Sequence, residues 1–293
     1  MELTLGSLFT GTGALDLAIE QVFGADLVWT VDNSDGPMRV IDYQFPGVHN
    51  YADVTKVNWW GVIPVDIISG GSPCTDVSLA GRREGMVEGT RSNLWVEMRN
   101  AVAAIRPRYV VWENVYGATS AQAASEVELT EGRVGTNLRA LGRVLGDLAD
   151  LGYDARWCGV RASDVGAPHP LPRVFVLATT DTDDERRVWS RSAANQLARG
   201  AQARPSNVPE RPDKFGIFTA AVNRWERLTR PAPDPFTEAG TVSVRFKEWM
   251  MGLPDGWVTD VPKVSFTQCA QMLGNGVVPQ QAAHALRLML SSW

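Results

Sequence analysis

A cysteine and a glutamate stand at matching places in this 293-residue chain. Cys74 closes Gly70-Gly71-Ser72-Pro73-Cys74, just after the apolar run Val65-Asp66-Ile67-Ile68-Ser69. Glu113 heads Glu113-Asn114-Val115, just after Tyr109-Val110-Val111-Trp112. Each sits where a buried strand spills into a loop. In an open parallel sheet, that carboxyl edge is where ligands and reacting groups gather. A nucleophile and an acid delivered to one edge suit covalent catalysis. A lone cysteine after a strand packs just as readily as a small core residue, so the surrounding elements decide the reading.

Those elements alternate. Short apolar runs at 3–9, 27–31, 65–69, 109–113, 154–160 and 174–178 read as strands. Amphipathic stretches at 14–22, 38–43, 93–105 and 136–151 read as helices. The last carries Leu138, Leu141, Val144, Leu145, Leu148 and Leu151 at helical spacing. The alternation predicts an α/β fold, a doubly wound and mostly parallel sheet covered on both faces. From about 179 to 244 the composition turns to Arg, Pro, Ser, Asn and Ala, and Pro205, Pro209, Pro212, Pro231, Pro233 and Pro235 argue against long regular elements. Apolar density returns at Phe246-Lys247-Glu248-Trp249-Met250-Met251, and a helix at 278–290 closes the chain. The expected division is a large domain over 1–178, a smaller inserted one over 179–245, and a segment over 246–293 that returns to the large domain.

Composition excludes several classes. A chain 44% hydrophobic and 21% charged is ordinary for a folded soluble protein. No apolar run approaches the roughly 18 residues of a membrane span, and Met1-Glu2-Leu3-Thr4-Leu5 lacks the flank of a secretion signal. Cys74, Cys158 and Cys269 are far apart and odd in number, which argues against a disulfide framework or zinc site and for a reducing compartment. His49, His169 and His284 are equally scattered, so no metal is expected. Charge is unevenly spread. Residues 186–230 hold nine Arg and one Lys against three acidic side chains, a local +7 that leaves −12 for the rest of a chain of formal charge −5. A basic segment on an acidic body suits a polyanion-binding insert, or else a solvated Arg-rich loop.

The first strand ends in Leu8-Phe9-Thr10-Gly11-Thr12-Gly13-Ala14-Leu15-Asp16 and runs into a helix. Glycines at such a turn let backbone N–H groups approach a ligand. A dinucleotide fingerprint wants Gly where Asp16 stands, so the turn suits a nucleoside ligand without a pyrophosphate. Asp32, ending the second strand, is placed to accept ribose hydroxyls. Asp53, after Asn50-Tyr51-Ala52, is placed to face an adenine amino group. Either aspartate could instead act as a cap or turn residue.

On these residues the chain resembles the DNA (cytosine-5)-methyltransferases over nearly its whole length and in the family's order. The glycine turn, with Phe9, Gly11 and Gly13, resembles the S-adenosylmethionine loop, and Pro73-Cys74 resembles the prolyl-cysteine motif, followed by Ser78. Gly89-Thr90-Arg91-Ser92-Asn93-Leu94 resembles the next helix start, and Glu113-Asn114-Val115 the ENV motif. Asp164-Val165-Gly166-Ala167-Pro168 through Arg173-Val174-Phe175-Val176 resembles the arginine-bearing motif, and Gly274-Asn275-Gly276-Val277-Val278 the closing GNxV motif. Trp249-Met250-Met251-Gly252-Leu253-Pro254-Asp255-Gly256-Trp257 is similar to versions in actinobacterial and phage enzymes.

The resemblance implies methylation of cytosine carbon 5 in a short sequence of double-stranded DNA, in a bacterial or phage-infected cytoplasm, by a monomer with no metal and no membrane. Cys74 would attack carbon 6, Glu113 would hold or protonate N3, and Arg173 would orient the ring and Glu113. Phe9, Gly11, Gly13, Asp32, Asp53, Pro73, Asn275 and Val277 would line the cofactor site, and Ser78, Asn114 and Arg161 would contact the substrate. The target base must be flipped out of its stack. The basic insert becomes a target recognition domain in which Arg186, Arg187, Arg191, Arg199 and Arg204 can neutralise phosphates, with Trp189 and Trp225 as its core.

Two departures stand out. The family's QxRxR reads His169-Pro170-Leu171-Pro172-Arg173, which thins the network around Glu113 or leaves Arg161 to complete it; Thr75 replaces the Gln that commonly follows Pro-Cys. Beside the main reading stand an RNA cytosine-5 methyltransferase on the same scaffold, a catalytically silent DNA-binding relative, and transfer of a modified sulfonium group in place of methyl.

Overall fold

The computed structural model describes residues 2–72, 94–119, 122–123, 138–180 and 214–293. Its first half runs β1 (Leu3–Leu8), α1 (Ala14–Phe23), β2 (Ala25–Val31), α2 (Asp35–Gln44), β3 (His49–Asn50) and β4 (Ile67–Gly70). Then come α3 (Leu94–Ile105), β5 (Tyr109–Val115), α4 (Ala140–Asp150), β6 (Asp154–Arg161) and β7 (Pro172–Thr179). The seven strands pair in the order β3-β2-β1-β4-β5-β7-β6. Strands β1 to β5 run parallel, and β7 lies antiparallel between β5 and β6. The expected mostly parallel sheet is therefore present. The reversal at β7 follows from its short connection to β6, which suffices for antiparallel neighbours but not for a parallel crossover.

Burial on both faces explains the unbroken apolar runs. Tyr109 and Val111 enter one core while Val110 and Trp112 enter the other; Phe175 and Leu177 divide from Val174 and Val176 in the same way. The first core is closed by α1, with Leu15 and Ile19, and by α8 (Pro279–Ser291), with Leu286 and Met289. The second is closed by α3, with Trp95 and Met98, and by α4, with Leu141, Val144 and Leu148.

Between β7 and α8 lie α5 (Thr219–Leu228), α6 (Val244–Met250) and α7 (Phe266–Asn275). The prolines do not prevent α5, because 213–230 holds none and a ten-residue helix fits there. Trp225 of α5 is fully buried and donates its indole N–H to the Trp249 carbonyl at 2.9 Å. It shares the core of α1 and α8. Trp189 and the five arginines from Arg186 to Arg204 lie outside the described residues.

Strand order reverses direction at β1, whose neighbours β2 and β4 are reached by crossovers on opposite sides. Ligand clefts of open α/β sheets form at the carboxyl ends beside such a point.

Candidate functional site

The cleft begins at the turn from β1 to α1. Phe9, Gly11 and Gly13 all have positive φ, at 55°, 58° and 74°. The turn is tied by the Gly13 amide on the Thr10 carbonyl at 2.9 Å and the Gly11 amide on Asp32 Oδ2 at 3.0 Å. Asp32 also accepts the Ser34 amide on Oδ1 at 3.0 Å, and its own N–H donates to Asn50 Oδ1 at 3.0 Å. Burial pushes the Asp32 carboxyl upward, while the two amide donors pull the other way. Asp53 follows β3 and caps a short turn, Val54–Lys56: its Oδ1 accepts the Thr55 amide and hydroxyl at 3.1 and 2.8 Å. The Thr55 hydroxyl and then Lys56, 3.1 Å away, hold its carboxyl below the ordinary range. It is at once a cap and part of the cleft wall.

Asp16, where a dinucleotide turn would carry glycine, is buried in the first turn of α1. Its two oxygens accept the Ser7 and Ser69 hydroxyls, each at 2.9 Å, which fastens α1 to β1 and β4. Burial raises its pKa to about 6. A carboxylate already occupies the positive end of α1, so a phosphate is disfavoured there.

The carboxyl–guanidinium pair of the cleft lies on β5 and β7. Glu113 Oε1 and Arg173 Nε are 3.0 Å apart, and both side chains are nearly buried. Arg173 also donates to the Pro172 and Gly276 carbonyls, at 3.2 and 3.0 Å, so its guanidinium is fixed from three sides. Desolvation raises the Glu113 pKa to about 7, outweighing the charge and hydrogen bond of Arg173. A methyl group at Gly71 would come within 2.8 Å of Glu113 Oε2, so the chain leaving β4 passes against this carboxyl only because residue 71 has no side chain.

That exit is strapped to β5. Asn114 Nδ2 donates to the Ser72 carbonyl at 3.2 Å, and Trp112 Nε1 to the Ser72 hydroxyl at 3.2 Å. Pro73, Cys74 and Ser78 lie outside the described residues, as does the motif from Gly89 to Asn93. Asn114, expected at the substrate, thus holds the last described residue before Pro73-Cys74.

Glu113, Arg173, Phe9, Gly11, Asp32, Asp53, Asn114, Asn275 and Val277 all line one cleft of about 840 Å³. Gly13 is not among its lining residues, although Thr12 and Ala14 on either side are. Arg161 does not reach it: it is exposed, and Val160 beside it, not Arg161, shares the sheet face of Arg173. Strand alternation thus turns its side chain away, and it does not complete the network around Glu113. Leu171, where the family carries arginine, lines the cleft without a charge. His169 contacts the Met250 carbonyl through Nε2 at 2.9 Å, and burial, then Arg173, keeps it below its ordinary pKa.

Sequence reasoning missed α7, which supplies Gln268, Gln271 and Met272 to the cleft wall. Gln268 Nε2 reaches Asp35 at 2.9 Å and so joins α7 to the start of α2. The signal was a capping box, Ser265-Phe266-Thr267-Gln268, whose reciprocal bonds measure 2.9 and 3.2 Å.

The lining carries four carboxyls, of Asp32, Asp35, Asp53 and Glu113, and its described cation, Arg173, is paired. Such a wall favours a cationic ligand over an anionic one. The volume suits a ligand of nucleoside size or larger, within the roughly 300–1,000 Å³ of small-molecule sites. An adenosine bearing a sulfonium and no phosphate fits both. Among the described residues, no group of three or more His, Cys, Asp or Glu is placed to hold a metal, and no helix is long and apolar enough to cross a membrane.

Residues 3–217 match the profile of the family described as C-5 cytosine-specific DNA methylase. The type II methyltransferase M2.BsuMI of Bacillus subtilis (strain 168) is 25% identical over 313 residues, covering 98% of this chain and 73% of that protein. M.NlaIV of Neisseria lactamica is 27% identical over 177 residues, 59% of this chain, and the match spans 40% of that relative's own length. Among solved structures, the Dnmt2 methyltransferase of S. pombe superposes with a TM-score of 0.65 at 14% identity, covering 99% of both chains. A putative DNA modification methyltransferase encoded within an E. coli prophage gives 0.61 at 19%, covering 98% of both. At such identities the two structures speak for the fold alone.

Proposed function

The chain belongs to the C-5 cytosine-specific DNA methylase family, and from that premise we propose that it methylates carbon 5 of cytosine within a short sequence of double-stranded DNA. The family and fold imply use of S-adenosylmethionine in general terms. The observation that carries the reading is the Glu113–Arg173 pair at 3.0 Å in the same cleft as the glycine turn and Asp32.

Carbon 5 of cytosine is a poor nucleophile. The Cys74 thiolate adds to carbon 6 of a flipped-out base, and the ring's π electron pair makes carbon 5 nucleophilic. Glu113, with a pKa near 7, is substantially protonated at neutral pH and gives or shares its proton at N3. Arg173 holds Glu113 and would orient the ring. S-adenosylmethionine, when bound, would supply an electrophilic methyl carbon and leave as S-adenosylhomocysteine. Once carbon 5 carries the methyl group, water would take its proton and the C–H electron pair would restore the ring double bond. The Cys74 thiolate would leave, and the N3 proton would return to Glu113.

Phe9, Gly11, Gly13, Asp32, Asp53, Pro73, Asn275 and Val277 would hold the cofactor. Ser78 and Asn114 would act on the substrate side. Residues 1–178 would be the catalytic domain, 179–245 the recognition domain, and 246–293 the returning segment. The protein would act as a cytoplasmic monomer.

The test is methyl transfer from labelled S-adenosylmethionine to mixed-sequence duplex DNA by wild type and Cys74→Ala, with bisulfite reading of the product. Label in cytosine carbon 5 that vanishes in the variant is the expected result. DNA binding without label would replace the proposal with a silent binder, and label in RNA alone with an RNA enzyme.

A further inference from the structure

Trp257 lies in the run Trp249–Trp257 that stood out in the sequence, and its indole reaches across the molecule. Nε1 donates to the Thr12 carbonyl at 2.7 Å, inside the glycine turn of the cofactor cleft. Within the turn Phe9 holds a positive φ of 55° without being glycine, a conformation that persists only when its surroundings fix it. The Thr12 carbonyl belongs to the peptide that leads into Gly13 and the start of α1. Fixing that oxygen fixes the plane of the next amide.

The contact is reinforced. The Trp257 ring meets Phe45 edge-on, with centroids 5.8 Å apart at 76°, and Phe45 fills the space where a methyl group on Gly13 would fall, 2.7 Å away. The Trp257 carbonyl accepts Gln44 Nε2 at 2.6 Å. Behind the loop, Glu248 is fully buried. Its carboxylate accepts the backbone amides of Gly256, Val258 and Thr259 at 2.8, 2.7 and 2.9 Å. Those donors flank residue 257 on both sides, so a single carboxylate sets the position of the indole through charge-assisted bonds.

We infer that Trp257, held by Glu248, is a positioning residue for the cofactor-binding turn, acting through the Thr12 carbonyl without touching ligand. The inference rests on the proposed function, because it presumes that the cleft takes an adenosyl ligand.

The experiment is calorimetric binding of S-adenosylhomocysteine to wild type, Trp257→Phe and the milder variant Gln44→Ala, alongside thermal unfolding and steady-state kinetics. Phenylalanine keeps an aromatic ring at this position and removes the N–H together with part of the indole, a packing loss that thermal unfolding reads separately. Loss of one hydrogen bond should weaken binding by about 3- to 10-fold in Trp257→Phe, and by less in Gln44→Ala. The KM for S-adenosylmethionine should rise in proportion while kcat at saturation and the KM for DNA stay within about twofold of wild type. Unchanged affinity in both variants, or a fall in kcat at constant KM, overturns the inference and leaves the proposed function standing. If Trp257→Phe does not fold, Gln44→Ala decides alone. If wild type binds no S-adenosylhomocysteine, the reading of the cleft falls and the inference falls with it.

Discussion

Glu113 and Arg173 meet at 3.0 Å although they are not cross-strand partners: Glu113 lies opposite Phe175, and Arg173 opposite Val115. The diagonal contact spans one step along the antiparallel β5–β7 pair, within reach of long side chains on one face. It brings Arg173 to the carboxyl through Nε on Oε1, leaving Oε2 against Gly71 and the cleft. One oxygen is thereby held, and among the described residues the other has no hydrogen-bond partner. Burial wins over the ion pair in setting the proton affinity.

A pH dependence follows with a definite sign. Methyl transfer by wild type should lose rate as pH rises through about 7, where Glu113 gives up its proton. Glu113→Gln should lower the rate by about 10²- to 10⁴-fold, the usual contribution of a positioned acid, and should erase that limb. Arg173 is the influence that lowers the Glu113 pKa, so in Arg173→Ala the limb should move to higher pH. Single-turnover rates between pH 5.5 and 9 measure all three. A limb that persists in Glu113→Gln belongs to another group.

Asn114 holds the Ser72 carbonyl, two residues before Cys74. Asn114→Ala should therefore lower single-turnover methyl transfer by about tenfold or more, the scale on which a misplaced reacting group acts. Affinity for S-adenosylhomocysteine should stay within about twofold, because the turn and Asp32 are untouched. An equal loss of both would make Asn114 a general structural residue.

The sheet was readable because both faces of its strands are buried: Tyr109 to Trp112 are apolar without a break, and such runs are hard to mistake. The ends of those strands were readable for the same reason, and this located Glu113. Side-chain direction was less accessible. Arg161 and Arg173 are close in sequence and both cationic, yet strand register puts them on opposite faces, and register depends on the β6–β7 pairing. Asp53 kept both of its readings, since a carboxylate can cap a turn with one oxygen and face a cleft at the same time. The roles of Glu248 and α7 arise from contacts between distant segments, such as Trp257 with Thr12 and Gln268 with Asp35, and no local pattern announces those.

Asp32 makes a separate claim on the cofactor. Both of its oxygens accept backbone amides, from Gly11 and Ser34. In Asp32→Asn one of those amides must face an NH₂ group, which opens the turn and removes the charge offered to a ribose. Affinity for S-adenosylhomocysteine should fall by about 10- to 100-fold, the equivalent of about 1.4–2.8 kcal/mol. Calorimetry on the purified protein reads this directly, and undiminished binding would detach Asp32 from the cofactor.

Asp16 should act on stability and not on chemistry. Its pKa is raised from 3.8 to about 6 by burial, against the Ser7 and Ser69 hydroxyls that lower it. The folded state therefore binds the proton more tightly than the unfolded chain. The corresponding stability is fully present below pH 3.8 and is lost as pH rises through about 6, a loss on the order of 3 kcal/mol. Asp16→Asn removes the titration while keeping a group that both hydroxyls can pair with. Urea unfolding from pH 4 to pH 7 should thus show wild type losing more stability than Asp16→Asn, and Glu113, present in both, drops out of the difference. Asp16→Ala leaves two buried hydroxyls without their acceptor and should cost about 2 kcal/mol or more at any pH in that range. Parallel curves for wild type and Asp16→Asn would mean that the carboxyl does not carry the proton that its burial implies.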